Sequence, residues 1–179
     1  MKEAELSTLR RLGGSEDNIL ITQGNLANSY QGLGRHLEKT LRTRQEVYSG
    51  RLRLDGEEHR ETLKTAINYA ISLSTIQRYE EAMALLRKPI RIARRVLGDN
   101  DEITITMKMT YAEALYKDTS ATLDNLLESV KTLEETGQTA RRVLGSSHPT
   151  AEFIAGYLQN ARAALRAREA SARLKALAL

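Results

Sequence analysis

The chain has 179 residues, 41% apolar and 28% charged, with a net charge of +4, no cysteine and two prolines. That length admits one globular domain or one short array of repeats, and the missing cysteines exclude disulfides and thiolate metal sites. No apolar run approaches the ~20 residues that span a bilayer. The acidic opening Met1-Lys2-Glu3-Ala4-Glu5 is unlike a secretory leader, so a soluble, cytoplasmic protein is expected.

Leu, Ala, Arg and Glu dominate, and Val and Ile are too scattered to build successive strands, which favours an all-α fold. In chain order, residues 1–13 end on Leu9-Arg10-Arg11-Leu12-Gly13 and read as the second half of a broken repeat. Residues 14–54 form the next unit, and residues 55–98 the clearest one. In that unit Leu63, Ala66, Ile67, Ala70 and Ile71 predict one amphipathic helix, Gln77-Arg78 a turn, and Tyr79 to Leu97 a second helix stopped by Gly98. Residues 99–145 repeat the pattern with an insertion in a second helix expected from near Thr119 to Leu144. Residues 146–179 open on Ser146-Ser147-His148-Pro149, where proline suits the first helical position and a Ser or His before it can cap. They close on a continuing or capping helix.

The units are in phase. Ala93-Arg94-Arg95-Val96-Leu97-Gly98 returns as Ala140-Arg141-Arg142-Val143-Leu144-Gly145, 47 positions later. Asn25-Leu26-Ala27 falls on Asn68-Tyr69-Ala70, Thr110-Tyr111-Ala112 takes the same place, and Leu33-Gly34-Arg35 falls on the Gln77-Arg78 turn. One helix pair cannot bury its stripe alone, so the pairs are expected to stack, with Ala27, Ala70 and Ala112 where helices approach closely.

These residues resemble the tetratricopeptide repeat in the roughly 42-residue form of kinesin light chains, a helix-pair repeat. The resemblance rests on Asn25-Leu26-Ala27-Asn28-Ser29-Tyr30, on Asn68-Tyr69-Ala70 with Arg78-Tyr79-Glu80-Glu81-Ala82, and on the Arg-Val-Leu-Gly endings. Uncharacterised algal proteins similar to kinesin light chains share it. It implies an antiparallel helix-pair solenoid, a tetratricopeptide-like superhelix acting as a non-catalytic scaffold or adaptor. Lys39 at a small-residue position, Pro89 inside a helix, the insertion in the third full unit and the lack of tryptophan depart from the pattern. A mid-helix proline costs ~3 kcal/mol or a kink.

In such arrays the first helix of each pair lines a concave groove, and Asn side chains bridge to a peptide backbone because one amide offers donor and acceptor together. Carried over by phase, Asn25, Asn28, Lys64, Asn68, Ile71, Thr106, Met109, Thr110, Glu113 and Lys117 face that groove, with Asn25 and Asn68 the paired positions. A carboxylate clamp would need basic residues at Thr106 and Thr110, and it has threonines. His59 and His148 occupy matching turns, far apart in a stack, so no metal set, cofactor or catalytic grouping is expected. Gly32-Leu33-Gly34 lacks the strand before it that a phosphate loop needs.

Arg162, Arg166, Arg168, Arg173 and Lys175 against Glu169 account for the whole net charge. A solvated helix face is the simplest reading of them. Nucleic-acid binding through this end ranks below two others: a scaffold for a protein or peptide partner, and a structural subunit of a larger assembly.

Overall fold

Most of the helix boundaries are set by local signals, side-chain caps at the starts and glycine or backbone turns at the stops. The computed structural model describes residues 2–32 and 36–177, so the expected turn at Leu33-Gly34-Arg35 lies outside the described residues. The described residues form eight helices: α1 Lys2–Arg11, α2 Glu16–Gly32, α3 Leu37–Asp55, α4 Arg60–Thr75, α5 Tyr79–Val96, α6 Glu102–Lys117, α7 Leu123–Leu144 and α8 Pro149–Leu177. They fall into two compact units, 1–78 and 79–179.

The starts of α4, α6 and α8 are capped by acceptors three residues after a glycine. His59 Nδ1 accepts from the Glu61 amide, Asp101 from the Ile103 amide, and His148 Nδ1 from the Thr150 amide. The glycines before them, Gly56, Gly98 and Gly145, all have positive φ. At Gly56 and Gly145 ψ is 172° and 154°, a region essentially closed to residues with a Cβ, rather than the left-handed helical one. α4 ends differently. The Arg78 amide donates to the Leu73 carbonyl and the Gln77 amide to that of Ser74, with Gln77 at φ 62°. This is a Schellman stop in which a glutamine takes the place glycine usually holds. α7 opens on a capping box between Thr122 and Asn125, so it starts at Leu123, a few residues later than the sequence suggests.

In the first unit, α1 packs on α2, α2 on α3, and α3 on α4. Leu6, Leu26, Tyr30 and Ile19 join α1 to α2. Ala27 and Ala70 are fully buried. α3 comes close to α2 at Gly50, where a Cβ would stand 2.5 Å from Leu20 Cδ2 of α2. Two arginines are also buried here. Arg51 reaches Asp17 of α2 at 2.6 Å and Asp55 at 2.9 Å, and its carbonyl accepts from Thr62 of α4. Arg44 donates through Nη2 to Asn28 at 2.6 Å and to Gln31 at 3.2 Å. Lys39 does not pack as a misplaced small residue. It is exposed, 2.5 Å from Glu3 and over the Tyr30 ring, so its charge stays in solvent.

In the second unit, α6 is surrounded: α5, α7 and α8 all pack against it, and α7 packs on α8. Ile105, Ala112, Leu133, Ala140, Ala151, Ile154 and Ala161 form the core. Buried Ser129 of α7 donates to the Ala112 carbonyl at 2.8 Å. Gly137 lets α7 approach α8, since a Cβ there would meet Ile154 Cγ2 at 3.1 Å. α5 runs unbroken through buried Pro89, which leaves the Leu85 carbonyl without its usual helical donor. α8 continues for 29 residues, against 16 for each of α4 and α6.

Candidate partner-binding surface

The expected groove residues are treated unit by unit. In the first, Asn25 and Asn28 lie exposed on α2, and Lys64 lies exposed on α4. Asn28 is already half engaged, because its amide oxygen accepts from the buried Arg44 guanidinium. Burial lowers the pKa of Arg44 from its ordinary value; Asn28 and Gln31 supply acceptors to its Nη2, while its buried Nε finds none among the described residues. The Asn25 carbonyl accepts from Ser29. Asn68 is half-buried on α4, and only its backbone carbonyl is engaged, by Ser72. Its carboxamide has no hydrogen bond among the described residues. Lys64 sits 3.7 Å from Glu61, a loose contact between exposed side chains. Ile71 is half-buried on the same helix.

In the second unit Thr110 overturns its expected role. It is 1% exposed, and its hydroxyl donates to the Thr106 carbonyl one turn back. With neighbours on three sides, α6 turns almost every position inward, so phase alone misplaces this one. Thr106 and Met109 are half-buried, and Met109 packs against the core. Glu113 and Lys117 do come together, 2.6 Å apart. Lys117 also stands 5.9 Å from the centre of the Tyr157 ring on α8, and that ring lies 6.2 Å from Tyr116. Burial opposes the Lys117 charge, but the hydrogen bond and negative charge of Glu113 outweigh it and raise its pKa. Burial, with Glu113 beside it, pushes the Tyr157 hydroxyl up to about 12. The group is a lysine on a carboxylate and aromatic bed, shaped to hold a cation in place rather than to move protons.

The sequence offered no sign of what adjoins this lysine. A cleft of about 480 Å³ opens there, lined by Tyr116, Lys117, Thr119, Leu126, Ala164 and Arg168. It forms because α8 outruns α6, and Arg168 is tied to the Thr119 carbonyl at 3.2 Å. A second cleft, of about 430 Å³, lies in the first unit among Glu3, Arg10, Tyr30, Lys39, Arg42 and Glu46. Glu3 is bonded to both Tyr30 and Lys39, and its hydrogen bond raises Lys39 to about 12. Both clefts mix charges of either sign.

The basic end is less available than its composition suggests. Arg162 pairs with Glu134 at 2.6 Å, Arg166 donates to the Arg162 carbonyl, and Arg168 to that of Thr119. His59 and His148 serve as helix caps. Among the described residues no group of three or more His, Asp or Glu is placed to hold a metal ion, and no helix is long and apolar enough to cross a membrane.

The tetratricopeptide repeat family model matches residues 18–95. No protein of curated function matches the chain in sequence. Among solved structures, the nearly identical TPR-like repeats of a candidate kinesin light chain from Podosopora anserina are 21% identical, with a TM-score of 0.73 over 97% of this chain and 80% of that one. A point variant of the same protein gives 20%, with a TM-score of 0.76 over 98% and 81%. BtubC (BKLC) from P. vanneervenii gives 14%, with a TM-score of 0.56 over 92% and 66%. At these identities the likeness is one of fold.

Proposed function

We propose that the chain is a tetratricopeptide-repeat scaffold without catalytic activity that holds a peptide or partner segment against the first helix of its pairs; the family match over residues 18–95 and the helix-pair fold shared with kinesin-light-chain-type repeats support this. The units are 14–54, 55–98 and 99–145, with 146–179 as the terminal unit. The observation that carries the reading is Asn68. A half-buried carboxamide on a rigid helix keeps both donor and acceptor uncommitted. That pair matches the N–H and C=O of an extended peptide, and a half-buried polar group gains by finding such a partner. Lys64, one turn earlier on the same helix, adds a cation for an acidic side chain of the ligand. Asn25 belongs to the same set. Asn28 contributes less, because its acceptor is held by Arg44. In the unit 99–145, Glu113 and Lys117 are the contact residues. Tetratricopeptide repeats generally mediate protein–protein interaction, and a cytoplasmic site of action fits a chain without cysteine.

A peptide array screened with the whole chain, followed by fluorescence polarisation, tests this. Asn68→Ala should weaken a bound peptide about tenfold, and Asn28→Ala about threefold or less. Peptide binding that survives Asn68→Ala and Lys64→Ala together at full strength would remove the groove reading.

A further inference from the structure

α8 buries Ala151, Ile154 and Ala161, and leaves the opposite face uncovered. Along that face a seam runs from Phe153 to Leu177 through Gly156, Asn160, Ala163, Ala167 and Ala170, stepping alternately by three and four residues. That spacing keeps one stripe on one side of a helix and is the spacing by which two helices interlock. Phe153, the only phenylalanine in the chain, is 59% exposed on this seam, and Leu174 and Leu177 are 69% and 84% exposed. An aromatic ring placed so is a surface waiting for cover.

Two charges flank the seam on the same side. Glu152 precedes Phe153, and Arg173 precedes Leu174. Both are exposed, and neither makes an ion pair among the described residues. They stand about 31 Å apart along the helix at 1.5 Å per residue, so they cannot meet within one chain. An antiparallel second copy of the same helix brings each beside the other's opposite.

We propose that α8 is a self-association helix that pairs antiparallel with α8 of a second copy of this chain. A two-fold axis between residues 161 and 162 sets Phe153 against Ala170, Gly156 against Ala167 and Asn160 against Ala163. Each of these three layers joins a small residue to its opposite, so the helices can approach closely, and Leu174 falls beside Pro149 at the end of the partner helix. Glu152 of each copy lies beside Arg173 of the other, twice by symmetry. Sliding one heptad further brings Arg166 against Arg166, which disfavours that register. A parallel pair would stack Phe153 on Phe153 and leave the glycine and alanine layers apart.

The seam is independent of the groove reading, since neither Glu152 nor Arg173 is among the groove residues. Sedimentation equilibrium of the whole chain across a concentration series tests it. A dimer is expected, and Phe153→Ala should reduce it most. Glu152→Arg and Arg173→Glu should each weaken it about tenfold, since a reversal acts at two symmetric pairs. The double exchange should restore it, with circular dichroism checking that helix content is unchanged. Because the chain has no cysteine, mixing Gly156→Cys with Ala167→Cys should give one disulfide-linked product. Asn68→Ala should leave the dimer untouched. A chain that stays monomeric throughout overturns the proposal. So does a dimer indifferent to both single reversals, or one that the double exchange fails to restore.

Discussion

The two units of this chain bury different chemistry under the same helical plan. The first holds two guanidinium groups inside, Arg44 and Arg51, each about 5% exposed, together with Gln23, Thr22 and Thr40. The second buries only short hydroxyl side chains among its polar groups: Thr104, Thr110, Ser129 and Thr136. A buried hydroxyl needs at most one acceptor, on its own helix as for Thr110 or on a neighbour as for Ser129. A buried guanidinium must be met by acceptors from several elements. Arg51 binds α2 through Asp17 and its own helix through Asp55, so it dictates how α2 and α3 lie against each other. Desolvation opposes its charge, and the two carboxylates reverse that opposition and raise its pKa. The first unit is therefore held by geometry-sensitive braces and the second by volume.

Substitutions can break this contrast from either side. The largest effect is expected from Leu133→Ala. Leu133 is fully buried in the core of the second unit, and truncation there should cost about 3 kcal/mol. Hydrogen exchange should quicken in α6, α7 and α8 and change least in α2 and α3. Next is Arg51→Met, which keeps the stem but strands Asp55, a carboxylate 17% exposed. A loss of about 2 kcal/mol is expected by urea unfolding, with faster exchange confined to α2 and α3. If Arg51→Met proves neutral, the bracing account of the first unit fails. The smallest effect concerns pH. The Lys108 hydrogen bond, then Arg94, holds the carboxyl of Asp99 below its ordinary pKa. A lowered folded-state pKa gives stability that is present above the carboxylate range and lost as pH falls through the folded value. Asp99 is half exposed, so the contribution is about 0.5 kcal/mol or less. Melting curves between about pH 3 and pH 5 should show Asp99→Asn flattening part of the acid-induced loss.

Much of the architecture was legible in one dimension. Helix periodicity and glycine stops are local signals, and they located the helix pair on either side of the Gln77 turn and the cap at His148. Ala27, Ala70 and Ala112 were read as close-approach positions, and all three are fully buried. The misses share a physical cause. Arg44 and Arg51 look like solvent-facing charge until partners 34 residues away are brought beside them, as Asp17 is to Arg51. Gly50 and Gly137 look like weak helix positions until Leu20 and Ile154 press on them. Thr110 was placed outward by phase. The signal against that was nearby: Ile103-Thr104-Ile105-Thr106-Met107 has no polar face, as expected of a helix covered on several sides. Of the expected contact residues, Asn68 and the Glu113–Lys117 pair keep a plausible surface, whereas Asn28 is partly committed and Thr110 has none to offer.

The glycine junctions carry a further consequence, for inheritance rather than for folding. At Gly56, Gly98 and Gly145 a Cβ would meet nothing within 4 Å, so each glycine is needed for its backbone angle alone. Three residues on, the next helix supplies its own cap, at His59, Asp101 and His148. Stop and start are thus both written inside the segment between one glycine and the next. A duplication or deletion with its breakpoints at two such junctions would keep every helix correctly terminated. Such a chain can grow or shorten in whole pairs, and Arg-Arg-Val-Leu-Gly stands at two of those junctions, before the caps at Asp101 and His148.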